Sequence, residues 1–328
     1  MIFLAYLFAV LKSTIYGLSI FFTSTLTKSV DVLDVLALRF LLSFAVLWIL
    51  KTTRAVKINV GIKDLFKKSE KSPFIRSLFL TALFEPVLYM LLETLGVSMT
   101  TNVTAAVIAS LAPISSCIIE VVFLKERSTF LQQVFLACGI FGVIYIAVNT
   151  NTTDGKNSLW GILFLVGSVL AGSLFTAFSR KTSAHFSPME ITYFACLIGT
   201  IIFNAANVVR HIARGDILHY FDPYFNLDNM IGFIFLGVLS SIVATMMNNF
   251  ALSKIQISTM AAFGGLSTVV TIAVGLMFGS ETLEFYHYIG LPFIILRMVG
   301  VSAISISRSR KELKLQPSLD VPTKTKTE

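Results

Sequence analysis

The sequence predicts an all-α polytopic membrane protein with ten transmembrane helices in two inverted five-helix repeats. Three observations lead to this prediction. Apolar residues make up 55% of the chain against 13% charged residues. The charged residues are placed so that they leave ten long apolar runs. The residue pattern of the first half also recurs about 155 residues later. The net charge of +8 lies mainly in the connections between runs, so it indicates membrane orientation rather than nucleic-acid binding.

Each apolar run is long enough to cross a bilayer as a helix, because a hydrocarbon core of about 30 Å takes roughly 20 helical residues. A closed β-barrel, the other structure that can span lipid, would alternate in polarity along each strand. These runs are continuous, so helices are predicted. They cover residues 2–26, 33–51, 74–96, 101–124, 129–149, 159–180, 188–209, 231–253, 257–279 and 283–306.

The distribution of Lys and Arg predicts the orientation of the helices. The connection between runs two and three alone carries eight basic residues, from Lys51 to Arg76. Connections on that side and the C-terminal tail together carry 19 basic residues, whereas the other side carries four. Because cytoplasmic loops are enriched in Lys and Arg, we expect both termini in the cytoplasm and the chain in the cell (plasma or inner) membrane.

The internal repeat is clearest around two helix pairs. In the first, a helix of small residues leads to Glu126 and an apolar helix follows; in the second, the same outline leads to Glu281. A cut near residue 154 leaves five runs on each side, and a repeat of odd helix count is inverted in the membrane. We predict a first repeat at 1–153, a second at 154–306 and a disordered cytoplasmic tail at 307–328.

These motifs resemble the drug/metabolite transporter superfamily, specifically its EamA type with two five-helix units. The resemblance covers residues 3–306 and rests on the helix from Ala105 to Glu126, on its weaker copy ending at Glu281, and on the Leu38-Arg39-Phe40 step. It implies a ten-helix carrier of small metabolites, often directed outward. The second unit departs from the family pattern at Thr268, where a proline is common.

Glu85 and Lys12 are the charged residues predicted nearest the bilayer midplane. At 1.5 Å per residue, Glu85 lies about 16 Å into helix three and Lys12 about 14 Å along helix one. A charge at that depth costs at least about 2.5–3.5 kcal/mol, so both are candidate functional residues. In one interpretation Glu85 binds a substrate amine or a coupling proton, with Lys12 supplying a counter-charge. In the other, the two form a permanent ion pair that pins helix one to helix three.

Other polar residues extend this candidate site. Tyr89 and Glu93 follow Glu85 at four-residue spacing on one helix face, and Pro86 is expected to kink the helix. Arg39 and Glu93 lie nearer the outer helix ends, where we expect a structural ion pair or gate. The uncharged residues expected to line the same cavity are Ser110, Asn248, Ser267, Thr268 and Thr271.

Two further glutamates, Glu126 and Glu281, fall at connections between helices. A carboxylate there accepts hydrogen bonds from the first amides of the following helix. We therefore predict that both are structural caps that mark the repeat, with a role in gating as the alternative.

No motif of an enzyme is visible. The spans lack an interior Asp, the four histidines show no metal-ligand spacing, and there is no glycine-rich nucleotide loop. The sequence thus predicts a secondary active transporter of a small metabolite, with export expected and the proton as a candidate coupling ion. Its expected partners are a small-molecule substrate and the lipid bilayer, without nucleic acid, cofactor or metal. The alternative is a non-transporting membrane scaffold or sensor.

Overall fold

Among the described residues, ten helices, α1–α10, correspond to the ten predicted runs, and two short helical turns, Ile217–His219 and Asp222–Phe225, lie between α7 and α8. The computed structural model describes residues 2–56, 58, 72–112, 114–115, 119, 130–149, 158–255, 257–278 and 284–315. The helices are α1 Ile2–Leu26, α2 Val32–Thr52, α3 in three consecutive segments (Ser72–Ala82, Leu83–Leu88 and Tyr89–Ser98), α4 beginning with Asn102–Ala109, α5 Phe130–Asn149, α6 Leu159–Thr182, α7 Pro188–Arg214, α8 in three segments (Leu227–Ile234, Phe235–Ala244 and Thr245–Leu252), α9 Ile257–Phe278 and α10 Phe285–Leu315.

Local sequence signals set several of these ends. Ser187 and Glu190 form a capping box at the start of α7, with Pro188 in the first turn, where its missing amide costs no hydrogen bond. The same helix ends at Gly215, whose φ of 75° is the left-handed conformation typical of a helix terminus. At α4 the side chain of Thr101 caps the amide of Thr104.

Six of the described helices are both long and apolar enough to span a membrane. They are α1, α2, α3, α6, α7 and α8, and a shorter apolar helix, Phe263–Phe278, lies within α9. The described residues contain helices and no strand. The chain is therefore an all-α polytopic membrane protein, as predicted.

The helices pack in a two-fold pattern that relates the two halves. Helix α1 packs against α8 and α9, and its repeat equivalent α6 packs against α3 and α4. Likewise the contact of α2 with α8 is matched by that of α7 with α3. The pairs α2–α7, α4–α9 and α5–α10 each join a helix to its own repeat equivalent. This packing confirms the predicted two-repeat architecture.

Both repeats contain a widened, π-helical segment at equivalent positions. In α3 it spans Leu83–Leu88 and in α8 it spans Phe235–Ala244. With the repeat offset of about 155 residues, Glu85 in the first repeat corresponds to Ser240 in the second. In α3 the break follows from Pro86, which has no amide hydrogen, and Glu85 adopts extended backbone angles (φ −137°, ψ 119°). The kink predicted at Pro86 is confirmed, whereas the widened segment of α8 contains no proline.

The end of the chain differs from the prediction of a tail beginning at residue 307. Helix α10 continues to Leu315, so residues 307–315 are helical. The segment Lys311-Glu312-Leu313-Lys314-Leu315 consists of strong helix formers, which explains the extension. Residues 316–328 lie outside the described residues. The same holds for most of the basic connection between α2 and α3 and for both predicted caps, Glu126 and Glu281.

A buried polar cluster joins the first turn of α2 to the last turns of α7. The carboxylate of Asp34 accepts from Asn207 Nδ2 at 2.8 Å, lies 2.5 Å from Arg210 Nη2 and 2.8 Å from His211 Nε2. The other imidazole nitrogen of His211 lies 2.8 Å from Asp216 Oδ1. One carboxylate therefore holds three side chains of α7, and the cluster fixes α2 against α7.

We expect Asp34→Asn to destabilise the protein by about 3 kcal/mol, because it removes the charge of the buried carboxylate that Asn207, Arg210 and His211 share. The measurement is the thermal unfolding midpoint of detergent-solubilised protein. Asp222→Asn is the matched control: Asp222 pairs with His219 at the surface, and such a pair contributes about 1 kcal/mol or less. Equal midpoints for the two variants would contradict the structural role given to Asp34.

Candidate functional site

A cavity of about 170 Å³ lies at the centre of the bundle, between α1, α2, α3, α4, α6, α8 and α9. Both repeats contribute to its wall. An engineered cavity of about 150 Å³ in another protein admits benzene, so this space suits a ligand of about one ring in size. Its polar lining consists of Lys12, Tyr16, Ser19, Arg39, Glu85, Tyr89, Glu93, Ser168, Ser173, Thr176, Ser240, Asn248 and Ser267.

Seven residues singled out in the sequence meet in this cavity. Five come from the predicted substrate or coupling set: Lys12, Glu85, Tyr89, Asn248 and Ser267. The other two are Arg39 and Glu93, which the sequence placed at an outer gate. Four charged side chains, two of each sign, therefore share one buried space.

Three of the predicted residues lie outside the cavity lining. Ser110 turns its hydroxyl back to the Val107 carbonyl, and Thr271 donates to the Gly17 carbonyl at 2.8 Å and the Ser267 carbonyl at 2.9 Å. Thr268 is buried, and its hydroxyl has no hydrogen-bond partner among the described residues. The sequence predicted that their side chains line the cavity. In the structure their hydroxyls instead bond to backbone carbonyls or lie between packed helices.

Lys12 and Glu85 face the same cavity without forming the direct pair that one interpretation predicted. Their side chains are 9% and 7% exposed, yet their charged atoms do not approach within the 4.0 Å of an ion pair. The ammonium of Lys12 lies over the ring of Tyr16, 5.5 Å from its centroid. No described side chain donates a hydrogen bond to Glu85. The widened segment of α3 thus presents to the cavity a carboxylate that lacks a hydrogen-bond partner within the described part of the chain.

Arg39 and Glu93 also lack the direct ion pair expected of them, because each is bound by neutral groups. The guanidinium of Arg39 donates to Ser241 Oγ at 2.8 Å and to Ser240 Oγ at 3.0 Å. Glu93 accepts from the hydroxyl of Tyr89 at 2.5 Å. The reason is the widened segment of α8, which brings two serine hydroxyls to Arg39.

The contribution of Ser240 and Ser241 was missed by reasoning from sequence. Their position could have indicated them, because they follow Glu85 and Pro86 by about 155 residues, which is the offset between the two repeats. Tyr16 and Ser19 on α1 were missed as well: Ser19 donates to Ser240 at 2.8 Å, and the Tyr16 hydroxyl lies 3.3 Å from that of Thr245. These contacts join α1 to α8 along the cavity wall.

Two further buried polar residues, one on α8 and one on α10, tie helices together outside the cavity lining. Asn249 accepts from Ser179 at 2.9 Å and donates to Thr192 at 3.2 Å, which ties α8 to α6 and α7. Arg297 on α10 is buried and donates to the carbonyl of Ser110, where the first segment of α4 ends. Among the described residues, no group of His, Cys, Asp and Glu is arranged to hold a metal ion.

A bundle of apolar helices around a buried cavity with charged walls defines a class of protein. Ionisable residues at membrane depth mark substrate or ion pathways, and paired helix repeats around a central site are the architecture of transporters. The protein is a multi-pass membrane transporter by this architecture.

The chain belongs to the EamA-like transporter family, whose model matches it twice, at residues 3–148 and 159–303. It is similar to the uncharacterized transporter YcxC of Bacillus subtilis, with 31% identity over 94% of this chain and 95% of the relative. An uncharacterized transporter of Archaeoglobus fulgidus is 25% identical over 76% of this chain and 83% of its own. A solved crystal structure shares the fold, with a TM-score of 0.62 at 14% identity, over 93% of this chain and 98% of that one.

We expect a cysteine at position 267 to react with a small water-soluble thiol reagent, because Ser267 lines the cavity. Val269 on the same helix is 48% exposed on the outside of the bundle, where lipid would surround it. Val269→Cys is therefore the matched control and should stay unreactive in the membrane. Both variants are made in a background lacking Cys117, Cys138 and Cys196, and labelling is read by mass spectrometry. Equal labelling of the two would contradict the assignment of the cavity.

Proposed function

We propose that this protein is a secondary active carrier of a small metabolite, which it binds in the central cavity and exposes alternately to the two sides of the membrane. The observation that supports the proposal is a central cavity whose wall carries charged residues and is supplied by both repeats. A site shared by two related units is the arrangement in which rocking of one unit against the other changes access. Export from the cell is the direction we propose.

Two equivalent seams beside the cavity are the surfaces along which this motion would occur. The α1–α8 seam is joined by the Ser19–Ser240 hydrogen bond, together with the Tyr16–Thr245 contact. The α6–α3 seam is joined by stacking of Phe84 on Phe178, with ring centroids 5.4 Å apart. Both seams consist of neutral polar or aromatic contacts, which a sliding motion can break and remake at low cost.

Glu85 is the residue that we propose for proton coupling. It is a buried carboxylate at the break of α3, it faces the cavity, and no described side chain donates a hydrogen bond to it. Protonation would remove a charge from the hydrocarbon, whereas ionisation would attract a cation into the cavity. The same residue can therefore link occupancy by a proton to occupancy by substrate.

For location we propose the cell (plasma or inner) membrane with both termini in the cytoplasm. The supporting observation is the excess of Lys and Arg in the connections on one side. A protease-sensitive tag at either terminus should be cut in inside-out vesicles and protected in intact cells.

A candidate substrate would first be found by comparing the metabolites of cells that lack the chain with those of cells that overproduce it. We then expect its uptake by proteoliposomes to depend on a pH gradient, and Glu85→Gln to remove that dependence, because glutamine cannot exchange a proton. Asp228→Asn, at an exposed position in the first turn of α8, should behave like the unchanged protein. Unaltered pH dependence in Glu85→Gln would exclude the coupling role.

The carrier proposal itself is tested against a scaffold or sensor by ligand binding and flux. A carrier requires at least one metabolite that stabilises the purified protein against heat and that crosses the liposome membrane only when the protein is present. Failure of both tests over the metabolites that differ between the two strains would contradict the proposed function.

A further inference from the structure

The connection between α7 and α8, residues 215–226, consists largely of two short helical turns, Ile217–His219 and Asp222–Phe225. Tyr220 and Phe221, which join the two turns, keep right-handed helical backbone angles (φ −56°, ψ −36° and φ −99°, ψ −2°). From residue 217 to residue 225 the chain therefore follows about two and a half helical turns. Side chains spaced three and four apart lie on the same side of this segment.

The first side of the segment is bound to the bundle through two tyrosines, Tyr220 and Tyr224. The hydroxyl of Tyr220 donates to Asn204 Oδ1 on α7, and that of Tyr224 donates to the Leu38 carbonyl on α2, each at 2.5 Å. Both rings also pack in the apolar cluster that contains Phe233 of α8. Contacts with three helices thus fix the orientation of the segment.

The second side is apolar and faces away from the bundle. Leu218, Phe221 and Phe225 follow one another at spacings of three and four residues, and they are 91%, 48% and 83% exposed. Large apolar side chains are strongly disfavoured in water, and a cluster of them on a surface marks contact with a membrane or a protein. This side therefore calls for an apolar environment.

The third side is polar. His219 Nδ1 and Asp222 Oδ2 lie 2.6 Å apart at the surface, and Asn226, four residues after Asp222, is exposed. With about 100° between successive helical residues, the apolar side has the tyrosines on one flank and these polar groups on the other. Such a three-sided segment fits the line where protein, hydrocarbon and water meet.

The lengths of the adjoining helices place the segment at that line. Helix α7 has 27 residues and the α8 span has 26, so each is about 40 Å long, roughly 10 Å more than the hydrocarbon core. An excess shared between the two ends puts the connection about 5 Å beyond the core, the depth of interfacial helices. Ile212 of α7 and Ile231 of α8 are exposed beside it, so the apolar side continues the lipid-facing surface.

We propose that the α7–α8 connection is an interfacial membrane anchor. The side chains of Leu218, Phe221 and Phe225 insert among the upper acyl chains of the lipids, while His219 and Asp222 remain among headgroups and water. In the orientation proposed above, the anchor lies in the outer leaflet. Through its two tyrosines it holds the adjoining ends of α2 and α7 at a fixed depth in the membrane.

The test places one tryptophan at a time in the full-length protein, reconstituted in phosphatidylcholine vesicles. The two tryptophans of the chain, Trp48 and Trp160, are first replaced by phenylalanine. Fluorescence of Leu218→Trp and Phe225→Trp is then quenched either by lipid brominated on the acyl chain near the headgroup or by acrylamide in the water. We expect brominated lipid to remove at least half of the fluorescence of both variants and acrylamide to have little effect.

His219→Trp is the matched control, because it lies on the polar side of the same segment, and its exposed pair with Asp222 contributes little to stability. We expect its fluorescence to respond more to acrylamide than to brominated lipid. Phe221→Trp, which keeps an aromatic ring on the apolar side, replaces Leu218→Trp or Phe225→Trp if either does not fold.

Two results would overturn the anchor. Quenching of all these variants by acrylamide alone would show that the apolar side faces water. Protection of the tryptophans on the apolar side from both quenchers would show that protein covers it, either a second copy of this chain or another part of the same one. Stronger quenching by brominated lipid on the apolar side than at His219→Trp is the result that supports insertion.

Discussion

The arrangement of this protein follows from the cost of keeping polar groups in hydrocarbon. Lipid offers no hydrogen bonds, so backbone amides and charges in the bilayer are satisfied inside the protein or face an internal cavity. The apolar helices satisfy most of their own backbones, and the four charged side chains of the cavity constrain how the helices are arranged. They are gathered in one internal cavity, away from lipid, and helices of both repeats are needed to enclose them.

The widened segments of α3 and α8 show how the two-fold fold produces a site that is not symmetric. Both helices widen at equivalent positions, and each widened segment contributes to the cavity wall. The segment of α3 places the carboxylate of Glu85 there, whereas the equivalent segment of α8 places the hydroxyls of Ser240 and Ser241 near Arg39. In the proposed carrier, the repeated backbone gives the geometry of motion and the differing side chains give the chemistry.

Much of the fold could be predicted from sequence because membrane helices are encoded by long apolar runs and the repeat by recurring motifs. The residues Lys12, Glu85 and Glu93 could be found for the same reason, since a charge inside an apolar run is conspicuous. Their partners could not be found, because a serine in an apolar helix looks the same whether it packs or binds. The widened segment of α8 was missed because no proline marks it.

The predicted ion pairs show a second limit of reasoning along the chain. Depth along a helix can be counted in residues, but the direction of a side chain depends on the turn of the helix and on its neighbours. Charge and depth therefore identified the cavity residues, and the packed structure determined which of them bind each other.

The central claim is that the two seams beside the cavity open in alternation, and distances between spin labels test it most directly. Labels at Lys28 and Asn226 report on the α1–α8 seam, and labels at Arg76 and Lys181 report on the α3–α6 seam; all four residues are exposed. In proteoliposomes with a pH gradient or ligand, the account predicts that the first distance lengthens as the second shortens. Two distances that stay fixed, or that lengthen together, would contradict alternating access by these repeats.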